Sequence, residues 1–225
     1  MGDIRRLIVF DLDGTLVDSR QDLADSANAL ILERGGHPLP DGAIVQMVGE
    51  GAARLVRRAL EAAGLPFDEG SVLRFLALYD ERMLRTTRLY PGMLAVVERL
   101  AREAPVAVLT NKPLAHSAAI VRALGLEPLL SITVGGDGPF PRKPDPTSLR
   151  HLMERHLAPP ERTLLVGDSR IDFETALAAG TRVCLARYGF GYERFPVEAL
   201  RGDEGLVDSP AEIPAAVHRL LGLEG

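Results

Sequence analysis

The sequence predicts an α/β protein: a doubly wound parallel sheet, with a small all-helical domain inserted after its first strand. Three observations carry this. Short apolar runs bounded by turn signals recur along the chain, namely "RRLIVF", "APVAVLT", "LLSITVGG", "RTLLVGD" and "TRVCLARY". Each is rich in Val, Leu or Ile without strict alternation, the mark of strands buried on both faces. Helical patterns such as "GMLAVVERLARE", "AHSAAIVRALG", "DPTSLRHLMERHL" and "IDFETALAAG" lie between most of them, and strand–helix alternation is the signature of a doubly wound sheet. The third observation is a stretch that breaks this rhythm. From Ser19 to Leu89 the amphipathic patterns "RQDLADSANALILERGG", "GAARLVRRALEAAG" and "EGSVLRFLALYDERMLRTTRL" follow one another with no convincing strand. Gly and Pro punctuate them at Gly35-Gly36, Pro38, Pro40, Gly64 and Pro66. Tyr90-Pro91-Gly92 marks the return. The domain division is therefore 1–18 with 90–225 as the sheet unit, and 19–89 as the helical insertion.

Composition bounds the rest. The chain has 225 residues, 46% of them hydrophobic, enough for a sizeable core. A net charge of −5 with no basic run argues against nucleic acid or an anionic membrane as partner. The single cysteine, Cys184, forms no internal disulfide, fits a reducing compartment and reads as a small core residue. No apolar run approaches the roughly 20 residues of a spanning helix, and the first residues do not resemble a secretory signal. The expectation is a cytoplasmic protein, monomeric or homodimeric. Only two of its 26 Lys and Arg residues are lysines, Lys112 and Lys143. A chain that otherwise writes Arg marks these two positions as places where a compact ammonium matters.

In open α/β sheets ligands bind beyond the C-terminal strand ends. There the sequence places Asp11, Asp13, Gly14 and Thr15; then Thr110 and Asn111; then Arg142 and Lys143; then Asp168, Ser169 and Asp172. Crowded carboxylates repel one another and raise each other's pKa. A hard divalent cation resolves that conflict, and Mg²⁺ favours carboxylates together with phosphate oxygens and water. A lysine and a hydroxyl suit a phosphoryl group, and a carboxylate can accept one covalently. The set reads as Mg²⁺-assisted phosphoryl transfer. Asp11 is the expected nucleophile and Asp13 the general acid and base. Gly14 permits a tight turn bringing backbone amides, with Thr15, to the phosphate. Thr110, Asn111 and Lys143 are the expected phosphate contacts. Asp168 is the expected metal ligand, beside Asp11 and Asp13, with Ser169 and Asp172 expected to support the metal from behind. A P-loop, a dinucleotide-binding glycine pattern and a serine-hydrolase elbow are absent, and the five histidines are dispersed.

The motifs "DLDGTLVDS", "LTNKP", "RKPDP" and "GDSRID" resemble the four motifs of the haloacid dehalogenase superfamily of phosphatases, over nearly the whole chain. The resemblance implies a Rossmann-like core with a helical cap, the roles given above for Asp11, Asp13, Thr110, Lys143 and Asp168, and metal binding by the backbone carbonyl of Asp13. Asp13 itself argues against dehalogenation, and a cap without lysine leaves no Schiff-base candidate. "MVGEGAARLVRRAL", "GGDGPFPRKPDP" and "ARYGFGY" are similar to the phosphoglycolate phosphatase subgroup. That likeness makes Gly49-Glu50-Gly51, with Arg54, a cap loop over the site, acting on a small phosphorylated metabolite. A carboxylate at Glu50 would repel an acidic substrate unless Arg54 or another base offsets it. Sugar-phosphate mutases and pyrophosphatases of the superfamily share the motifs. A phospho-accepting signalling module is a third reading, from a different class.

Overall fold

The computed structural model describes residues 5–222. Eight strands and nine α-helices follow one another along these residues. The sheet strands are β1 (Leu7–Phe10), β4 (Val106–Leu109), β5 (Ile132–Val134), β6 (Thr163–Gly167), β7 (Arg182–Ala186) and β8 (Gly205–Val207). All pair in parallel, in the order β5-β4-β1-β6-β7-β8. The strand order reverses beside β1, the switch point at which such sheets bind ligands. Burial explains the apolar run of β1: Ile8 and Phe10 enter the core on one face, Leu7 and Val9 the core on the other. Helices α5 (Met93–Ala101), α6 (Leu114–Ala123), α7 (Thr147–His156), α8 (Arg170–Ala179) and α9 (Ile213–Leu221) cover the two faces. Cys184 lies fully buried in one core, where burial pushes its thiol up to about 12.

The insertion comprises α1 (Arg20–Glu33), α2 (Asp41–Val45), α3 (Ala52–Ala62) and α4 (Glu69–Asp80). These helices share a third hydrophobic cluster, built on Leu23, Leu30, Ile31, Leu55, Leu60, Phe75 and Tyr79 among others. A strand falls at the end of the stretch where the sequence showed none: β3 (Arg88–Leu89) pairs with β2 (Val17–Asp18) as a two-stranded antiparallel ribbon. Two-residue strands carry no readable alternation, so the pattern could not reveal them. Beside the ribbon, the buried Asp22 accepts hydrogen bonds from the backbone and hydroxyls of Thr86 and Thr87, at 2.6–3.1 Å. Burial alone would push its carboxyl up; the hydrogen bonds together outweigh it and hold the carboxyl below its usual value. No described helix is long and apolar enough to cross a membrane.

Candidate active site

Four strand ends and the insertion enclose one cavity. Its floor holds Asp11, Asp13, Thr110, Asn111, Lys112, Asp168 and Ser169; its roof includes Leu23, Ala52, Leu55, Phe75, Leu76 and Tyr79, with Gly49 and Gly51 at the edge. Asp11 follows β1 directly, and its carboxylate accepts the Leu12 amide at 2.7 Å. Lys143 reaches from the loop before α7, placing its ammonium 3.0 Å from Asp11 Oδ1 and 2.5 Å from Asp172 Oδ1. Asp172 sits in the first turn of α8, where it and Ser169 cap each other. Asp168 precedes that helix and accepts the Gly191 amide at 2.8 Å.

The electrostatics are one-sided. Ligand oxygens of Asp11, Asp168 and Asp172 lie within 4.8 Å of one another. One buried ammonium, Lys143, faces all this charge. Burial pushes the Asp11 carboxyl up to about 7, against the opposing pull of Lys143. Asp168 is likewise driven well above its usual range, first by burial and then by Asp172 and Asp11. Burial would lower Lys143, but Asp11 and Asp172 more than offset it and its affinity for the proton rises. Excess negative charge with oxygen donors fits a hard divalent cation. Glycine geometry around Asp168 supports the same fit. A Cβ on Gly14, which has φ +87°, would stand 1.9 Å from Asp168 Oδ2, and one on Gly189 2.5 Å from it. The backbone is thus cut away so that this carboxylate can reach the site.

Asp13 is built into a different set of contacts. Its carboxylate receives the Lys112 ammonium at 2.8 and 2.9 Å and the Ser19 hydroxyl at 2.5 Å. Its carboxylate does not join the Asp11, Asp168 and Asp172 cluster. Both lysines of the chain therefore stand on acids of the first motif. Lys112 carried no assignment beyond the scarcity of lysine, which was the signal for it. The glycines of "YGFGY" were also without a role until Gly189 and Gly191 were seen against Asp168.

Several expected contacts are arranged otherwise. Gly14 and Thr15 do not line the cavity: their amides close a turn onto Val17 and Leu12 carbonyls, so they are spent before any phosphate arrives. The Asn111 amide donates to the Gly49 carbonyl at 3.0 Å and the Lys143 carbonyl at 2.9 Å. With both donors used, Asn111 clasps the roof loop to the floor. Asp172 stands within the carboxylate cluster and not behind it. Glu50 and Arg54 also fall outside the cavity lining; the Glu50 carboxylate pairs with Arg54 and, at 2.5 Å, with Arg58. The repulsion raised against Glu50 is thus answered by two guanidinium groups. Thr110 does line the cavity, its hydroxyl oxygen accepting the Lys112 amide at 3.2 Å.

Residues 5–180 match the family model of haloacid dehalogenase-like hydrolases. The phosphoglycolate phosphatase of Rhodospirillum rubrum is 41% identical over 87% of this chain and 84% of its own length. The plasmid-encoded phosphoglycolate phosphatase of Cupriavidus necator is 37% identical over 92% of this chain and 91% of its own. Among solved structures, a predicted phosphoglycolate phosphatase from Haemophilus somnus superposes with a TM-score of 0.87 at 32% identity. That match covers 96% of this chain and 99% of the other.

Proposed function

This chain belongs to the haloacid dehalogenase-like hydrolases, and from that premise we propose that it hydrolyses small phosphate monoesters, 2-phosphoglycolate first among them, through an aspartyl-phosphate on Asp11. The observation that carries the reading is the cluster of Asp11, Asp168 and Asp172 facing the Lys143 ammonium at the base of the cavity. The residues fit Mg²⁺, held by Asp11, Asp168 and the Asp13 carbonyl; when bound it neutralises the carboxylates and the phosphoryl oxygens.

The protein's own groups do the following. An Asp11 oxygen attacks phosphorus in line with the ester oxygen, and the phosphorus–ester bond breaks as Asp13 gives that oxygen a proton. Lys143 and the Thr110 hydroxyl hold the transferring phosphoryl oxygens. Water then attacks phosphorus and loses its proton to Asp13. The bond to Asp11 breaks, phosphate leaves and both acids return to their starting state. The apolar roof keeps bulk water from the acyl phosphate while the alcohol departs.

The test is phosphate release from a panel of small esters, with Mg²⁺ and with chelator. Metal-dependent release favouring 2-phosphoglycolate is the expected result. Metal-independent release, or none from any ester, would overturn the reading.

A further inference from the structure

The cavity contains one cationic side chain among its described lining residues, and it is Lys112. The other basic groups nearby are not among the described lining residues and bond to other parts of the protein. Arg54 and Arg58 pair with Glu50. Arg142 donates to the Gly136 carbonyl at 2.7 Å and Arg194 to the Val48 carbonyl at 3.1 Å. Lys143 is held between Asp11 and Asp172, at the end assigned above to the phosphoryl group. The walls left for a leaving group are largely Leu23, Leu55, Phe75, Leu76, Tyr79 and Phe190. Such walls offer a polyhydroxylated sugar little to bind, and the hydroxyls would lose water without compensation.

Lys112 has capacity to spare. An ammonium carries three N–H donors. Asp13 takes Lys112 at 2.8 and 2.9 Å, and the further acceptor beside its ammonium among the described residues, the Tyr79 hydroxyl, makes no hydrogen bond of ordinary length. The ammonium instead lies 4.6 Å from the centre of the Tyr79 ring, on the roof. A positive donor thus stands beside the acid that must touch the ester oxygen.

We propose that Lys112 is the specificity residue of this site, donating its unshared N–H to a carboxylate on a short leaving group. In 2-phosphoglycolate that carboxylate is separated from the ester oxygen by a single methylene. With the ester oxygen at Asp13, the carboxylate falls beside the neighbouring ammonium, and the methylene meets the apolar wall. The inference rests on the phosphatase reading above and adds to it the charge and length of the preferred leaving group.

The wild-type protein provides the first test, with Mg²⁺ present, by phosphate release from 2-phosphoglycolate and from its uncharged isostere 2-phosphoglycolamide. The acid is expected to exceed the amide in kcat/KM by about 30-fold, the size of a charge-assisted hydrogen bond. In Lys112→Met that ratio should collapse towards one, chiefly through KM for the acid. Lys112→Arg, which keeps charge, should retain part of the preference. Equal rates for acid and amide in the wild type would overturn the inference while leaving the phosphatase reading intact. So would a Lys112→Met variant in which both substrates slow by the same factor, since Lys112 would then serve Asp13 alone. No release from either substrate would fail the phosphatase reading itself.

Discussion

At the base of the cavity, three carboxylates with oxygens within 4.8 Å of one another surround one ammonium. On the roof, Leu23, Leu55, Phe75 and Tyr79 belong to the hydrophobic cluster that holds the insertion together. The floor spends stability, because buried like charges oppose folding. The roof supplies it, because the side chains that shield the cavity also pack the helices. The difference teaches where a substitution should be felt: in turnover below, in stability above.

The sharpest break would come at Asp11. Asp11→Asn removes the nucleophile and should cut phosphate release by about 10⁴-fold or more while leaving the fold intact by circular dichroism. Near-normal turnover would end the covalent mechanism. On the roof, Phe75, 1% exposed, offers the converse. Phe75→Ala should cost about 3–5 kcal/mol in urea unfolding and much less in turnover at saturating substrate. A loss of turnover rivalling that of Asp11→Asn would erase the distinction between floor and roof.

A third measurement reads the strain of the floor directly. Without metal the Asp11 carboxyl rises from 3.8 to about 7 on folding, and Asp168 moves the same way. Both bind a proton more tightly folded than unfolded, so the unfolded state is favoured progressively as pH rises across that window. In chelator, the urea midpoint should fall between pH 5 and pH 8, and added Mg²⁺ should restore it at pH 8. A midpoint that rises with pH would contradict the strained floor. The smallest effect is expected at Glu50→Gln. The carboxylate lies outside the cavity and pairs with half-exposed arginines, so stability should change by about 1 kcal/mol or less and kcat/KM by under about threefold.

Much of the floor was legible in sequence because Asp11, Thr110 and Asp168 each follow a strand that both faces bury. Runs such as "LIVF" before Asp11 and "TLLVG" before Asp168 announce themselves. The four strand ends therefore pointed to Asp11, Thr110, Lys143 and Asp168 together. Other features left weaker traces. β8 is three residues long and begins with glycine, and α2 spans five residues; neither is long enough to show a period. The Lys112–Asp13 pair joins positions 99 residues apart, and nothing local encodes it beyond the rarity of lysine. Gly14 and Asn111 sat in the right motifs, but only the distances reveal that their amides are used within the protein.

The ribbon of β2 and β3 makes the helical insertion a cassette. Its entry and exit strands are paired, Val17 with Leu89 and Asp18 with Arg88, so the 69 residues between leave and rejoin the sheet unit about 5 Å apart. A gap that short can be closed by a tight turn or opened to receive a foreign insert without moving a single strand of the sheet. Splicing at this seam, with Asp22, Thr86 and Thr87 carried on the same side, would let one catalytic floor be fitted with interchangeable lids.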